Sequence, residues 1–390
     1  MYEIQLKERL IGYSASVAKE GEQVKINISG MTSTEDGDLH LKYLNGFPAM
    51  ILSSLNKDIQ PCDIKNMVVL VSKDLKAKVY INEIEIHGQV HVKATNIERG
   101  QEVKKDDISG FERIQLKGIE FTEDQAYCCI LSYGWDRIYI FDFSPLDDKF
   151  ERKIEYDVEK LLGSCFSYLT FGTFHKIPPS VWNNILRQNW FPFYALKLST
   201  VESLISHARN EWDIDELMED IEHDTLLYIE ERRQAWGNDQ NLASFISFLD
   251  RAMARHKEND FLSSSLIIYP KIEALIRKSF ITDHPDKEGR QQKALIEHIT
   301  EKTTRSISAL TTFIPDKFRR YLEDCYFKDF SVTCDTNPVS RHSIAHGAST
   351  IDKFDKKASL LGLLVFSQIT EYIQQSSQWS NLPPTEVTSD

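Results

Sequence analysis

The residues 340–347, Ser-Arg-His-Ser-Ile-Ala-His-Gly, gather an arginine, two histidines and two hydroxyls around only two apolar side chains. Histidine titrates near neutral pH and serves as either base or acid, an effect typically worth about 10²–10⁴-fold in rate. Arginine presents a fixed fork of donors that grips two oxygens of a phosphate and stabilises charge as it develops there. Together these residue types offer proton transfer beside an anion. Arg341 and His346 are the two that this chemistry needs, and His342 and Asn337 stand close enough in sequence to support them.

Local signals place the group on a short helix. Asn337 is a good N-cap and Pro338 suits the first helical position, while Gly347 fits a C-cap. On an ideal helix, residues five apart point about 140° away from one another. Arg341 and His346 therefore flank a cleft rather than share a face.

The elements that must carry this segment change character along the chain. From residue 2 to about 145 the pattern alternates with period two, as in "YEIQLKERL", "QVKINISG", "DLHLKYL", "KAKVYINEIEIHGQVHVKA" and "DRIYIFDFS". Short alternating runs between Gly, Asn and Asp turns predict an antiparallel sandwich or barrel. Near residue 150 the spacing becomes helical, in "YDVEKLLGSCFSYLTFG", "PSVWNNILRQNW" and "STVESLISHARNEW". "WGNDQN" (236–241) interrupts it. From Leu242 onward the pattern predicts an all-helical bundle. Pro270 predicts a kink or a break within one helix of that bundle. "KKASLLGLLVFSQITEYIQQ" is apolar nearly all round and so belongs at the bundle centre. The expected fold class is α+β, in four parts: a β-rich domain at 1–148, a helical middle region at 149–240, a helical bundle at 241–378 and a disordered tail at 379–390.

The Arg-x4-His spacing, a polar residue after the arginine, a glycine after the second histidine, and a strongly apolar helix just beyond together resemble the signature of the HEPN superfamily. The resemblance covers roughly residues 242–378, and includes the earlier helix "LIIYPKIEALIRKSF". "RHS" and "LIIYP" are also similar to features of ribonuclease toxins of phage defence. The resemblance implies metal-independent endoribonuclease activity at a homodimer interface, with Arg341 and His346 catalytic, His342 and Asn337 supporting, and no metal or cofactor. It implies a cytoplasmic role in bacterial anti-phage defence or as a toxin, with RNA as substrate and a trigger or inhibitor protein as a further partner. The alternative is a non-catalytic dimerisation or binding module of the same fold that regulates a partner protein. The β-rich half resembles no family.

The rest of the sequence narrows the field. The chain of 390 residues carries a net charge of −13, which argues against non-specific coating of nucleic acid. The charge is uneven: residues 1–240 hold 27 Lys+Arg against 40 Asp+Glu, whereas residues 241–378 hold 19 against 17. Only the later part meets a polyanion without strong repulsion. No run of eighteen apolar residues predicts a membrane span, and the first residues lack the apolar core of a signal peptide. Six cysteines without a C-x-x-C pair fit reduced thiols in a cytosol. The run from Asp213 to Asp224 has metal-ligand residue types, but it alternates with Ile214, Leu217, Met218 and Ile221 and reads as a solvated helix face. Cys128 and Cys129 read as core. His87 and His91, four apart on a strand, read as a surface pair.

Overall fold

The structure, a computed structural model, describes residues 1–7, 12–15, 17–29, 37–55, 59–93, 100–134, 136–146, 156–289, 291–306, 310–328 and 350–379. The chain is α+β, with sheet in its first part and helices after it. It divides into two compact units, residues 1–89 with 111–170, and residues 90–110 with 171–390.

The first unit holds a five-stranded sheet with every described pairing antiparallel. Its strands are β1 (Tyr2–Gln5), β4 (Met67–Val71), β5 (Lys76–Ile81), β8 (Ala126–Tyr133) and β9 (Asp136–Asp142), in the order β1-β5-β4-β8-β9. β2 (Gly12–Ala15) and β3 (Ile26–Ser29) form a separate ribbon, and so do β6 (Ile86–Val92) and β7 (Ile108–Leu116). In β5 the alternation is plain: Ala77, Val79 and Ile81 are buried, while Lys76 and Lys78 are exposed. β4 is buried along its whole length, because both faces of the sheet are covered. Helix α1 (Gly37–Leu55) lays Phe47, Ile51 and Leu52 against Val69, Val79 and Cys128. On the other face, Leu162 and Leu169 of α2 (Val158–Thr170) join Ile114 and Leu116 of β7 over Val68, Leu70 and Cys129.

This differs from the expected sandwich or barrel: helices take much of the area that a second sheet would cover. "DLHLKYL", expected as strand, lies in α1. Its alternation is overruled by the longer three- and four-residue spacing of Phe47, Ile51, Leu52 and Leu55, which gives the helix an apolar face. Gly163 lets α2 come close to β7, since a Cβ there would stand 2.5 Å from the Glu112 carbonyl oxygen. Cys128 and Cys129 are core as expected, and burial pushes both thiols up.

The second unit is helical: α3 (Gly172–His175), α4 (Pro179–Arg187), α5 (Leu198–Arg209), α6 (Met218–Asn238), α7 (Ala243–Lys257), α8 (Phe261–Asp283), α9 (Gln292–Ser306), α10 (Pro315–Tyr321) and α11 (Lys356–Trp379). A π-helical turn, Leu322–Tyr326, continues α10. α11 is the centre of the unit, and every residue from Ala358 to Gln374 is buried. α8 runs unbroken through Pro270. The proline is exposed, so the carbonyl it leaves without a helical partner faces water. α6 belongs to the same unit as α7–α11 for a specific reason. Its Arg232 donates to both carboxylate oxygens of Glu371 on α11, at 2.8 and 3.1 Å, and Trp236 Nε1 donates to Glu371 at 2.9 Å.

Candidate active site

Asn337, Arg341, His342 and His346 lie outside the described residues, within the segment 329–349. The structure describes the elements on either side of that segment. On the leading side, the π-helical turn ends at Tyr326, and Phe327 N donates to Leu322 O at 2.8 Å. On the returning side, a short 3-10 turn, Ile351–Lys353, precedes α11, and Asp355 caps that helix by accepting from Ala358 N at 2.8 Å.

One side chain joins the two ends. The ring of Tyr269, on α8, stacks on Tyr326 with centroids 5.3 Å apart, and Tyr326 donates its hydroxyl proton to Tyr269 O at 3.2 Å. The Tyr269 hydroxyl in turn donates to Ala358 O at 3.0 Å, in the first turn of α11. Tyr269 therefore ties the π-helical turn that precedes segment 329–349 to the first turn of the helix that follows it. Gly362 makes the packing possible. A Cβ at this position would stand 2.5 Å from Ile268 Cγ2 and 2.8 Å from Tyr269 Cε2.

The first turn of α11 is also fixed by charge. Lys356 pairs with Glu222 at 2.6 Å, and Glu222 meets His256 Nε2 at 2.9 Å. His256 Nδ1 faces the Ser359 hydroxyl at 2.7 Å, and that hydroxyl lies 2.7 Å from the hydroxyl of Ser264. Lys357 pairs with Asp215, which also accepts from Trp190 Nε1 at 2.7 Å. Burial holds the His256 imidazole below its ordinary range, partly offset by the Glu222 carboxylate. Burial pushes the Glu222 carboxyl up, but Lys356 and His256 outweigh it and hold the group below the usual carboxylate range.

Glu222, His256 and Ser359 are the residue types of a hydrolytic triad, yet they cannot act as one. Ser359, Ser264 and His256 are each at most 1% exposed, so no substrate atom reaches the hydroxyl. Their role is to fasten four helices, α6, α7, α8 and α11, at the point where α11 begins. The acidic run Asp213–Asp224 is thus not a uniformly solvated face. Asp215 and Glu222 hold the lysines of α11, and Asp224, 5% exposed, accepts from Thr200 at 2.6 Å. Sequence reading missed these residues because their cationic and hydroxyl partners lie far along the chain. The one local signal was the doublet Lys356-Lys357 at the head of an otherwise apolar helix.

Elsewhere, His87 is exposed and pairs with Glu85 at 2.7 Å, while His91 on the same ribbon is buried. Among the described residues no three His, Cys, Asp or Glu side chains are grouped to hold a metal ion. No helix among them is long and apolar enough to cross a membrane. Comparison of the chain with protein-family models, curated proteins and solved structures finds no match.

Proposed function

We propose that the protein is a metal-independent endoribonuclease of HEPN type, acting as a cytoplasmic homodimer in bacterial anti-phage defence or as a toxin. The observation that carries this reading is the place of the motif in the chain: Arg341 and His346 precede the buried helix α11, whose first turn Tyr269 ties to the π-helical turn on the other side of the motif. Rigid elements before and after a catalytic segment meet the demand that reacting groups be held in place. It also agrees with the resemblance, which puts the motif at the opening of the last helix of a bundle.

RNA brings its own nucleophile, the ribose 2′-OH. In the proposed reaction His346 of one subunit takes that proton as the 2′-oxygen attacks phosphorus. Arg341 binds the non-bridging oxygens and stabilises the charge that gathers on them. The departing 5′-oxygen needs a proton, and the partner copy's histidine supplies it, so one subunit is insufficient. The products are a 2′,3′-cyclic phosphate and a 5′-hydroxyl. DNA has no 2′-OH and is inert. His342 and Asn337 support the segment, the first by meeting a phosphate or orienting Arg341, the second by starting the helix. A trigger or inhibitor protein restrains an activity that would otherwise poison its host.

The test is incubation of the purified full chain with labelled RNA and the matching DNA in EDTA, beside His346→Ala. RNA cleavage that persists under chelation, spares DNA and disappears in the variant supports the reading. Intact RNA, together with equal growth of cells expressing either form, favours a non-catalytic dimerisation module that regulates a partner.

A further inference from the structure

Residues 90–110 lie between two stretches of the sheet-containing unit, yet they are built into the helical one. The hydrogen bonds that Lys93, Asp106 and Ser109 make there go to helix ends and loops. Asp106 Oδ1 accepts from Leu198 N at 2.9 Å, the first amide of α5, whose own N-cap Lys197 offers no side-chain acceptor. Lys93 Nζ donates to the carbonyls of Tyr194 and Leu196 at 3.1 and 3.4 Å, and lies 4.8 Å over the Tyr194 ring. Ser109 O accepts from Thr312 N at 2.8 Å. The two segments so gripped, 191–198 and 311–314, meet each other where Tyr194 stacks on Phe313 at 4.2 Å. They also reach α11: Tyr194 N donates to Gln368 Oε1 at 2.7 Å, and Tyr372 donates to Phe313 O at 2.6 Å.

This seam is poorly satisfied compared with the rest of the unit. Thr312 Oγ1 is buried there without a partner among the described residues, and Tyr194 Oη, Tyr228 Oη and Gln368 Nε2 make only weak contacts, with Ser109, Glu371 and Tyr372. The Lys93 ammonium is half-buried, with Asp106, Asp224 and Glu371 as opposing charges around it. Ile314, a β-branched residue, is held in the left-handed region at φ 38° and ψ 57°. Weakly met polar groups, an ammonium half withdrawn from water and backbone strain at Ile314 all favour separation.

We infer that residues 90–93 and 100–110 form a detachable latch on the helical unit, gripping segments 191–198 and 311–314, and that this latch opens before the bundle core does. Release frees Phe313 and Tyr194, which brace α11. The inference stands on these contacts and does not rest on the nuclease reading.

Native-state hydrogen exchange on the full chain in rising denaturant tests it. Peptides covering 100–110, 191–198 and 311–314 are expected to share a partial opening that precedes exchange in 358–374. Asp106→Ala should speed exchange at the start of α5 about fivefold without changing 358–374, the size expected for a lost helix cap. Asp106→Asn, which keeps an acceptor oxygen, should recover most of the protection. Equal protection of the latch peptides and of 358–374 in the wild-type chain would make residues 90–93 and 100–110 a permanent part of the core and overturn the inference. So would unchanged exchange at the start of α5 in a folded Asp106→Ala.

Discussion

The two units of this chain treat buried polarity in opposite ways. In the sheet unit the polar interior is a short chain of hydroxyls around one carboxylate: Tyr127 and Tyr156 lie 2.7 Å apart, Tyr156 donates to Asp142 at 2.6 Å, and Ser144 donates to the same group. The contacts run between β8, β9 and the residues just outside them, so they settle local geometry. In the helical unit the polar interior crosses long stretches of sequence. Arg232 reaches Glu371 and Gln374, and His256 reaches Ser359 and Glu222. A sheet has its register set by its own ladder of hydrogen bonds and by alternation. An apolar helix at the centre of a bundle can slide and rotate, and directional pairs along α11 remove that freedom. Such precision is what a segment entering α11 with catalytic residues would need.

If that contrast is right, the largest effect comes from the charged pair. Glu371→Gln leaves Arg232 buried with no countercharge and should cost about 3–5 kcal/mol in denaturant unfolding, whereas breaking an exposed pair such as Lys76–Asp74 should change little. Gly362→Ala comes next: the added methyl must displace Ile268 and the Tyr269 ring, a strain of about 1–3 kcal/mol. Its stability loss should appear together with altered near-UV circular dichroism from the Tyr269–Tyr326 stack.

Titration gives a third and smaller test. His256 is held below its ordinary range in the fold, so protonation favours the unfolded chain. The stability it contributes is complete above the unfolded value of 6.5 and is lost as pH falls below it. His256→Phe should flatten the fall in melting temperature between neutral and mildly acid pH, and an unchanged slope would assign that fall to other groups. Lys93 bears on the latch with the same reasoning. Burial pushes its ammonium down to about 8 from 10.5, against the carboxylates of Asp106, Asp224 and Glu371. Neutral lysine is favoured in the fold, so stability should rise as pH climbs from about 8 toward 10.5, and Lys93→Met should remove that rise. Smallest is Tyr269→Phe, which keeps the stack and removes one hydrogen bond to Ala358, worth about 1 kcal/mol in chemical denaturation.

Much of the architecture was legible in residue spacing. The strands of "KAKVYINEIEIHGQVHVKA" and "DRIYIFDFS", the helices after residue 156, and the central place of "ASLLGLLVFSQITEYI" all follow from period and composition. α1 was misread because seven alternating residues imitate a strand when the helical spacing that follows them is left out. The fastening of α11 left only one local sign, the doublet Lys356-Lys357. Asp215, Glu222 and Asp224 look like a solvated helix face until lysines at 197, 356 and 357, the hydroxyl of Thr200 and the imidazole of His256 are brought to them by the fold. Glycine behaves likewise: nothing local to Gly362 says that α8 passes within one methyl of it. Arg341 and His346 were legible as chemistry, and their geometry rests with residues outside those described.

The central claim is chemical, and the most direct measurement is the identity of the ends. RNA digested by the full chain in EDTA is analysed by mass spectrometry, beside the same RNA carrying a single 2′-deoxyribose at the mapped cleavage site. The account predicts 2′,3′-cyclic phosphate and 5′-hydroxyl ends, no cutting at the deoxy position, and none by Arg341→Ala or His346→Ala. Products with 5′-phosphate ends, or cutting that ignores the missing 2′-hydroxyl, would contradict it.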